Sequence, residues 1–252
     1  MMSPIPGLDA ARDRLHAARS VLVLTGAGIS AESGVPTFRG DGGYWRRHHF
    51  SELATPEGFA RDPRLVWDWY LERRATVRLC QPNAAHRVLA EWARRCAEAG
   101  ARTVVLVTQN VDGLHERAGH DGTVRLHGSL WRTRCGTCAG ERDDESLAYP
   151  ELPRCARCRG PERPAVVWFG EPLPPEATAH AEQASRAADC VLVVGTAGVI
   201  YPAAGLVEDA RDRGAAVIEV NPDDDYGQGP WGAFGGAWLR APAGIALPRL
   251  LA

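Results

Sequence analysis

Three short runs, "SVLVLT" at 20–25, "TVVLVT" at 103–108 and "DCVLVVG" at 189–195, are apolar through their centres instead of at alternate positions. A strand with one wet face alternates, whereas a strand covered on both faces does not. Between these runs lie stretches with helical spacing of apolar residues, at 8–18, 63–79, 84–99 (closed by Gly100), 175–188 and 201–213. Further strands are expected at 124–127, 165–169 and 216–221. Buried strands alternating with amphipathic helices imply an α/β fold with a parallel, doubly wound, Rossmann-like sheet.

With 252 residues and 45% hydrophobic content, the chain can build one sizeable core plus a small appended module. Residues 134–163 break the rhythm, being rich in cysteine, proline and charge with no core pattern. The expected organisation is a single domain over 1–252. A large Rossmann-like part comprises about 1–43, 84–132 and 165–252. A small part consists of a helical module at about 44–83 and an inserted cysteine-rich module at about 133–164. Residues 26–43 and 223–236 read as irregular loops.

A net charge of −2 excludes a nucleic-acid binder held by bulk charge. All 29 basic side chains are arginine, so the chain has no lysine of its own to be modified. No run approaches the roughly 18 apolar residues of a membrane span. Residues 1–19 lack the basic start and apolar core of a signal peptide. A cytoplasmic monomer is expected.

Of seven cysteines, Cys135, Cys138, Cys155 and Cys158 form two CxxC pairs sixteen residues apart, while Cys80, Cys96 and Cys190 stand singly. Two such knuckles suit one tetrahedral zinc held by four thiolates, and a complete thiolate shell makes the metal structural.

The strand ends carry the other chemistry. "VLVLTGAGISA" runs from a buried strand into Gly26, Ala27, Gly28 and Ala31, which fits the G-x-G-x-x-[GA] pattern that brings backbone N–H groups up to a pyrophosphate. An ordinary dehydrogenase would continue into a long helix; Pro36, Gly40, Gly42 and Gly43 disfavour one. A loop bearing Phe38, Arg39 and Trp45 is expected to cover the ligand instead. "VVGTAGVIYP" ends a second strand at Gly195, Thr196 and Ala197, and "VIEVNP" ends a third at Asn221. "VTQNVD" places Gln109, Asn110 and Asp112 at a fourth. Ligands in open α/β sheets bind at the carboxyl ends of strands. His127, in "LHGS", follows another strand and is placed to act as a base. His115 and His120 read as surface or loop residues, and His86 as a helix residue packing locally.

"GAGISAESGVPTFRG", "TQNVDGLHERAG", "LHGS", the paired CxxC, "RPAVVWFGE", "VVGTAGVIYPAA" and "EVNP" together closely resemble the sirtuins, NAD-dependent protein-lysine deacylases, in family order over about residues 19–248. The resemblance implies that NAD is held by Gly26, Ala27, Gly28, Ala31, Phe38, Arg39, Trp45, Gln109, Asn110, Asp112, His127, Gly195, Thr196, Ala197, Asn221 and Ala243. Asn110 and Asp112 would line the nicotinamide pocket, with His127 the general base and Asn110 its catalytic partner. In the family mechanism the acyl oxygen attacks the ribose C1′ and expels nicotinamide. The 2′-hydroxyl then takes the acyl group, giving 2′-O-acyl-ADP-ribose and free lysine. The backbone of Val167, Trp168, Phe169 and Gly170 would meet the acyl-lysine peptide as an added strand.

"WDWYLERRATV" sets Tyr70 and Arg73 three residues apart on one helix face, a phenol and a guanidinium able to grip a carboxylate. The desuccinylase and demalonylase branch of the sirtuins has this Tyr-x-x-Arg pair, which implies a preference for succinyl or malonyl over acetyl. Arg74 is the decoy. Two departures stand out: Ala197 replaces the usual serine, and Phe50 replaces a smaller residue. Plain deacetylation, ADP-ribosyl transfer and a non-catalytic NAD or acyl-lysine binding module are the alternatives.

Overall fold

The computed structural model describes residues 4–38, 50–196, 201–222 and 236–252. Its main sheet has six strands: β1 (Ser20–Thr25), β2 (Thr103–Thr108), β3 (Val124–Arg125), β7 (Cys190–Val194), β8 (Ala216–Val220) and β9 (Ala237–Leu239). All are parallel, in the order β3-β2-β1-β7-β8-β9. The three apolar runs form strands because both faces are covered: Val21 and Val23 pack into one apolar cluster, while Leu22 and Leu24 pack into another on the opposite face. Burying each such side chain is worth about 1.5–3 kcal/mol.

Helices α1 (Leu8–Ala17), α6 (Ala84–Ala99) and α10 (Ala243–Leu250) cover the first face. Helices α8 (Pro175–Ala187) and α9 (Ala203–Asp212) cover the second. Residue 25 of β1 lies between Thr108 of β2 and Val194 of β7. The connections leave β1 and β7 in opposite directions, so a crevice opens at their carboxyl ends.

The short helices α2 (Gly28–Ala31) and α7 (Leu114–Arg117) follow β1 and β2 at this end, while α3 (Phe50–Leu53) and α4 (Pro56–Arg61) pack with the next helix. Helix α5 (Pro63–Leu79) is longer; Asp62 caps it by accepting the Leu65 N–H at 2.9 Å, and Pro63 supplies a preset first turn. Its Val66, Trp67, Trp69, Tyr70 and Leu71 build a third apolar cluster with Leu53, Leu130, Val166 and Trp168.

A separate antiparallel sheet is formed by β4 (Gly128–Cys135), β5 (Glu141–Asp143) and β6 (Glu162–Val166), in the order β5-β4-β6. Two expectations change here. The strand expected at 165–169 ends at Val166 and belongs to this small sheet, because it pairs with β4, the chain running into the first cysteine knuckle, and not with a core strand. The strand expected at 124–127 is two residues long, Val124–Arg125, and a turn carries the chain through His127. The sequence reading also missed β9 and α10. No helix of the described residues is long and apolar enough to cross a membrane.

Arg74 ties helix α5 to the small sheet. It is fully buried, donates to the carbonyls of Leu130 (2.6 Å) and Ser146 (3.0 Å), and pairs with Asp144 at 3.4 Å. Asp144 also accepts from the Tyr149 hydroxyl and the Ser146 N–H. A buried ion pair contributes only when its remaining valences are met, and these are.

Candidate active site

Gly26, Ala27 and Gly28 make the turn leaving β1, and Ala31 closes α2. Gly26 N–H donates to Val194 O at 3.0 Å and Gly28 N–H to Gly195 O at 2.8 Å, so the loops after β1 and β7 are sewn together. A Cβ on Gly28 would lie 2.7 Å from Gly195 Cα. One on Gly195, whose φ is +59°, would lie 2.3 Å from Ile29 N. Only glycine permits this approach, and it leaves a backbone cradle at the mouth of the crevice suited to a phosphate-bearing ligand.

Side chains from the neighbouring strand ends line the same mouth. Gln109 Nε2 donates to Thr196 Oγ1 at 3.0 Å, and Asn221 Nδ2 reaches Thr196 O at 3.4 Å. Asn110 Nδ2 donates to Gly26 O at 3.0 Å. Ala243 opens α10 and is buried, and Glu32 accepts the adjacent Gly244 N–H at 2.6 Å. Arg39, Trp45 and Ala197, and the side chain of Phe50, lie outside the described residues.

Asp112 is almost fully buried. Ser30 Oγ donates to its Oδ2 at 2.7 Å and Leu114 N–H to its Oδ1 at 2.9 Å. Burial raises its pKa; the two hydrogen bonds and the nearby Arg73 charge pull the other way. His86 lies behind Ser30 at 3.4 Å. Its Nδ1 accepts the Asn83 N–H in a capping box at the start of α6, and burial lowers its pKa from 6.5 to about 4.

His115 and His120 correct the sequence reading. Both are buried, not on the surface. The His115 ring lies 4.9 Å from that of His86 and 6.5 Å from that of His120, and its Nε2 is 3.0 Å from Thr25 Oγ1. Thr25 Oγ1 in turn contacts Thr108 Oγ1 at 2.8 Å, which accepts the Asn110 N–H at 3.1 Å. Burial first, and the neighbouring His86 next, push His115 well below its ordinary pKa. Neutral histidines thus brace the segment that carries Asn110 and Asp112. Ser30, Thr25 and Thr108 were missed as members of this network, although all three sit within the quoted strand-end motifs.

His127 is set by its neighbours on both sides. Its Nδ1 lies 2.9 Å from Gln109 O, an oxygen that can only accept, so Nδ1 carries the proton and Nε2 presents a lone pair. Burial lowers its pKa, which favours the neutral ring, and the Gln109 bond partly opposes this. Gly128, at φ +79°, follows directly; a Cβ there would lie 2.1 Å from Ala165 O. The arrangement can take a proton from a hydroxyl.

The side chains gathered beside α5 are larger and mostly aromatic. Tyr70 and Trp168 are buried, and Trp168 Nε1 donates to Tyr70 Oη at 2.9 Å. The Arg73 guanidinium carbon lies 4.7 Å from the Trp69 ring, 5.4 Å from the Tyr70 ring and 5.2 Å from the Phe38 ring. Arg74 turns away into the small sheet, as described above. The N–H groups of Val167 and Phe169 donate to His127 O (3.0 Å) and Ala54 O (2.9 Å). Phe169 is exposed and Gly170 has φ +86°.

The four paired cysteines bring their sulfurs within 4.8 Å of one another. Cys135 and Cys158 are 3.4 Å apart, and Cys138 and Cys155 3.7 Å. A tetrahedral zinc about 2.3 Å from each sulfur sets sulfur–sulfur edges of about 3.8 Å, so the cluster is positioned to hold one zinc ion. The two knuckles mirror each other: Ala139 (φ 54°) and Arg159 (φ 62°) follow them in the left-handed region, and each N–H returns to the carbonyl of Cys135 or Cys155.

The Sir2 family profile matches residues 26–202. A curated relative named NAD-dependent protein deacylase from Ralstonia nicotianae is 49% identical over 96% of this chain and 95% of its own length. One of the same name from Aquifex aeolicus is 49% identical over 81% of this chain and 84% of its own. Among solved structures, a Sir2 homologue in complex with NAD superposes with a TM-score of 0.86 at 42% identity, covering 96% of this chain and 92% of that one. A Sir2–p53 peptide–NAD+ complex superposes with a TM-score of 0.81 at 30% identity, covering 95% of each.

Proposed function

The chain belongs to the Sir2 family and is an NAD-dependent protein deacylase, and we propose that within this activity it prefers acyl-lysines whose acyl group ends in a carboxylate, succinyl and malonyl above acetyl. The observation that carries this reading is the Tyr70–Arg73 pair: two donors side by side on α5, with the competing Arg74 bonded into the small sheet. A guanidinium beside a phenol offers a carboxylate two charge-assisted contacts that an acetyl group cannot use.

The residues divide the chemistry. Bound NAD supplies the ribosyl–nicotinamide bond that breaks and the hydroxyl that receives the acyl group, giving nicotinamide and 2′-O-acyl-ADP-ribose. The glycine cradle of Gly26, Gly28 and Gly195 holds the phosphates, with Thr196, Asn221 and Ala243 at the adenosine side. Asn110 and Asp112, braced by Ser30, orient the carboxamide. His127 accepts a hydroxyl proton at Nε2 while Nδ1–H stays on Gln109 O. Val167 to Gly170 flank the substrate peptide. Paired thiols held as zinc ligands fit a reducing, cytoplasmic setting, and the chain acts as a monomer.

The test offers one peptide with acetyl-, succinyl- and malonyl-lysine, in equal amounts, with NAD, and follows products by mass spectrometry. Faster loss of the succinyl and malonyl groups is expected, with the succinyl-to-acetyl ratio falling at least about tenfold in Arg73→Met. Equal loss of both activities in that variant, or acetyl preference in the wild type, overturns the reading.

A further inference from the structure

The Trp168–Tyr70 contact has a direction. An indole N–H only donates, so at 2.9 Å the Tyr70 oxygen is the acceptor. The phenol keeps one proton, and among the described residues no acceptor takes it. Burial raises the Tyr70 pKa, so that proton stays on. A buried hydroxyl proton next to a guanidinium is complemented by an acceptor from outside the chain.

Trp168 is itself held on all sides. The Arg163 guanidinium carbon lies 3.5 Å from its ring centroid, and the Phe59 ring packs on it at 5.3 Å. Glu171 bonds Arg163 at 2.8 Å and accepts the Trp168 N–H at 2.9 Å, while Arg163 also donates to Val166 O at 2.7 Å. Neither Arg163 nor Glu171 belongs to the carboxylate-gripping pair. They fix the plane of the indole, and the indole fixes the phenol.

Resting on the carboxylate-acyl reading above, we infer that Trp168 is a specificity-determining positioning residue whose indole N–H turns the Tyr70 hydroxyl into an obligate donor toward the acyl terminus. The pocket then selects for an acyl chain that ends in an acceptor, not merely for one of suitable length. Arg163 and Glu171 act through Trp168 on the same choice.

The test is a double-mutant cycle of Trp168→Phe and Tyr70→Phe in the full chain, read as the ratio of kcat/KM for succinyl- against acetyl-lysine in one peptide at saturating NAD. Phenylalanine keeps an aromatic ring under Arg163 but removes the N–H. The ratio is expected to fall about tenfold in Trp168→Phe, as for the loss of one hydrogen bond that serves a charged group. In the Tyr70→Phe background the same substitution is expected to leave the ratio where it is. Equal falls in both activities, or an additive fall in the double variant, overturns the inference and leaves Trp168 a packing residue. Glu171→Gln, which loosens the clamp from outside the pocket, is expected to lower the ratio in the same direction and serves if Trp168→Phe folds poorly. Succinyl preference in the wild type with an unchanged ratio in Trp168→Phe defeats this inference alone. Acetyl preference in the wild type defeats it together with the reading beneath it.

Discussion

Around Gly26, Gly28 and Gly195 the chain presents its own backbone, with Gln109, Asn110 and Thr196 beside it. Around Tyr70, Arg73 and Trp168 the walls are phenol, guanidinium and indole. The crevice rests on a parallel sheet buried on both faces; the pocket rests on one helix braced against a small sheet and four thiolates. On the function proposed above, the difference matches what each part would read. A diphosphate is an array of acceptors that backbone N–H groups match without side chains. An acyl terminus varies, and variable chemistry is read by exchangeable side chains.

If the two regions are built separately, they should fail separately. The largest expected effect is Cys138→Ser. A four-thiolate site contributes on the order of 10 kcal/mol to folding its segment, which has little apolar core of its own. Metal content should drop from one zinc per chain to none, and activity toward every acyl peptide should vanish. Retained zinc would refute the ligand assignment.

Gly195→Ala should be next. Its Cβ would meet Ile29 N at 2.3 Å and force the β1 and β7 loops apart. NAD binding by calorimetry should weaken at least about a hundredfold, the order expected when a strained contact costs a few kcal/mol. Zinc content should stay at one. Loss of zinc as well would show that the two regions fold as one unit.

The crevice should also be the acid-sensitive side. His86 titrates near 4 when folded and near 6.5 when unfolded, so between these values the unfolded chain binds the extra proton. The stabilisation is complete above pH 6.5 and is lost as pH falls towards 4, about 3 kcal/mol for this group. His115 acts in the same direction; Asp112, with its raised pKa, opposes it. Denaturant midpoints at pH 7.5 and 4.5 measure the sum, and His115→Gln should flatten the slope. An unchanged slope would mean that His115 is not held neutral.

The smallest change expected is in Ala197→Ser. Restoring one hydroxyl at the Gly195–Thr196 loop should tighten NAD by ~1 kcal/mol, about fivefold in KM. A fivefold gain confined to NAD, with acyl selectivity untouched, would sharpen the separation.

The sheet was legible because its strands are buried on both faces, and continuous apolar runs leave little doubt about bounds: residues 20–25 and 103–108 form strands with the ends expected of them. Helix α5 was legible from its helical spacing of apolar residues over 63–79. The zinc knuckles were legible because spacing alone dictates the donor set. His115 and His120 were not, since a histidine in a polar stretch gives no sign of the neighbours that bury it. In the fold, Thr25 and His86 arrive from other elements to enclose His115. The strand at β6 was misplaced because the partner of a short apolar run is set by chain topology, which local pattern does not carry. Choosing Arg73 over Arg74 needed the family spacing; in the fold Arg74 is bonded to carbonyl acceptors and Asp144, contacts that sequence spacing does not show.

The acceptor that fixes the His127 tautomer is a main-chain carbonyl at position 109, and the N–H of that same residue is bound to Thr25 O at 3.0 Å. No substitution at 109 can delete a carbonyl. The protonation geometry of this imidazole is therefore insulated from drift in its nearest neighbour's side chain and exposed only to changes in how β1 and β2 align. Variation at 109 can alter what the crevice touches while the proton stays where the imidazole needs it.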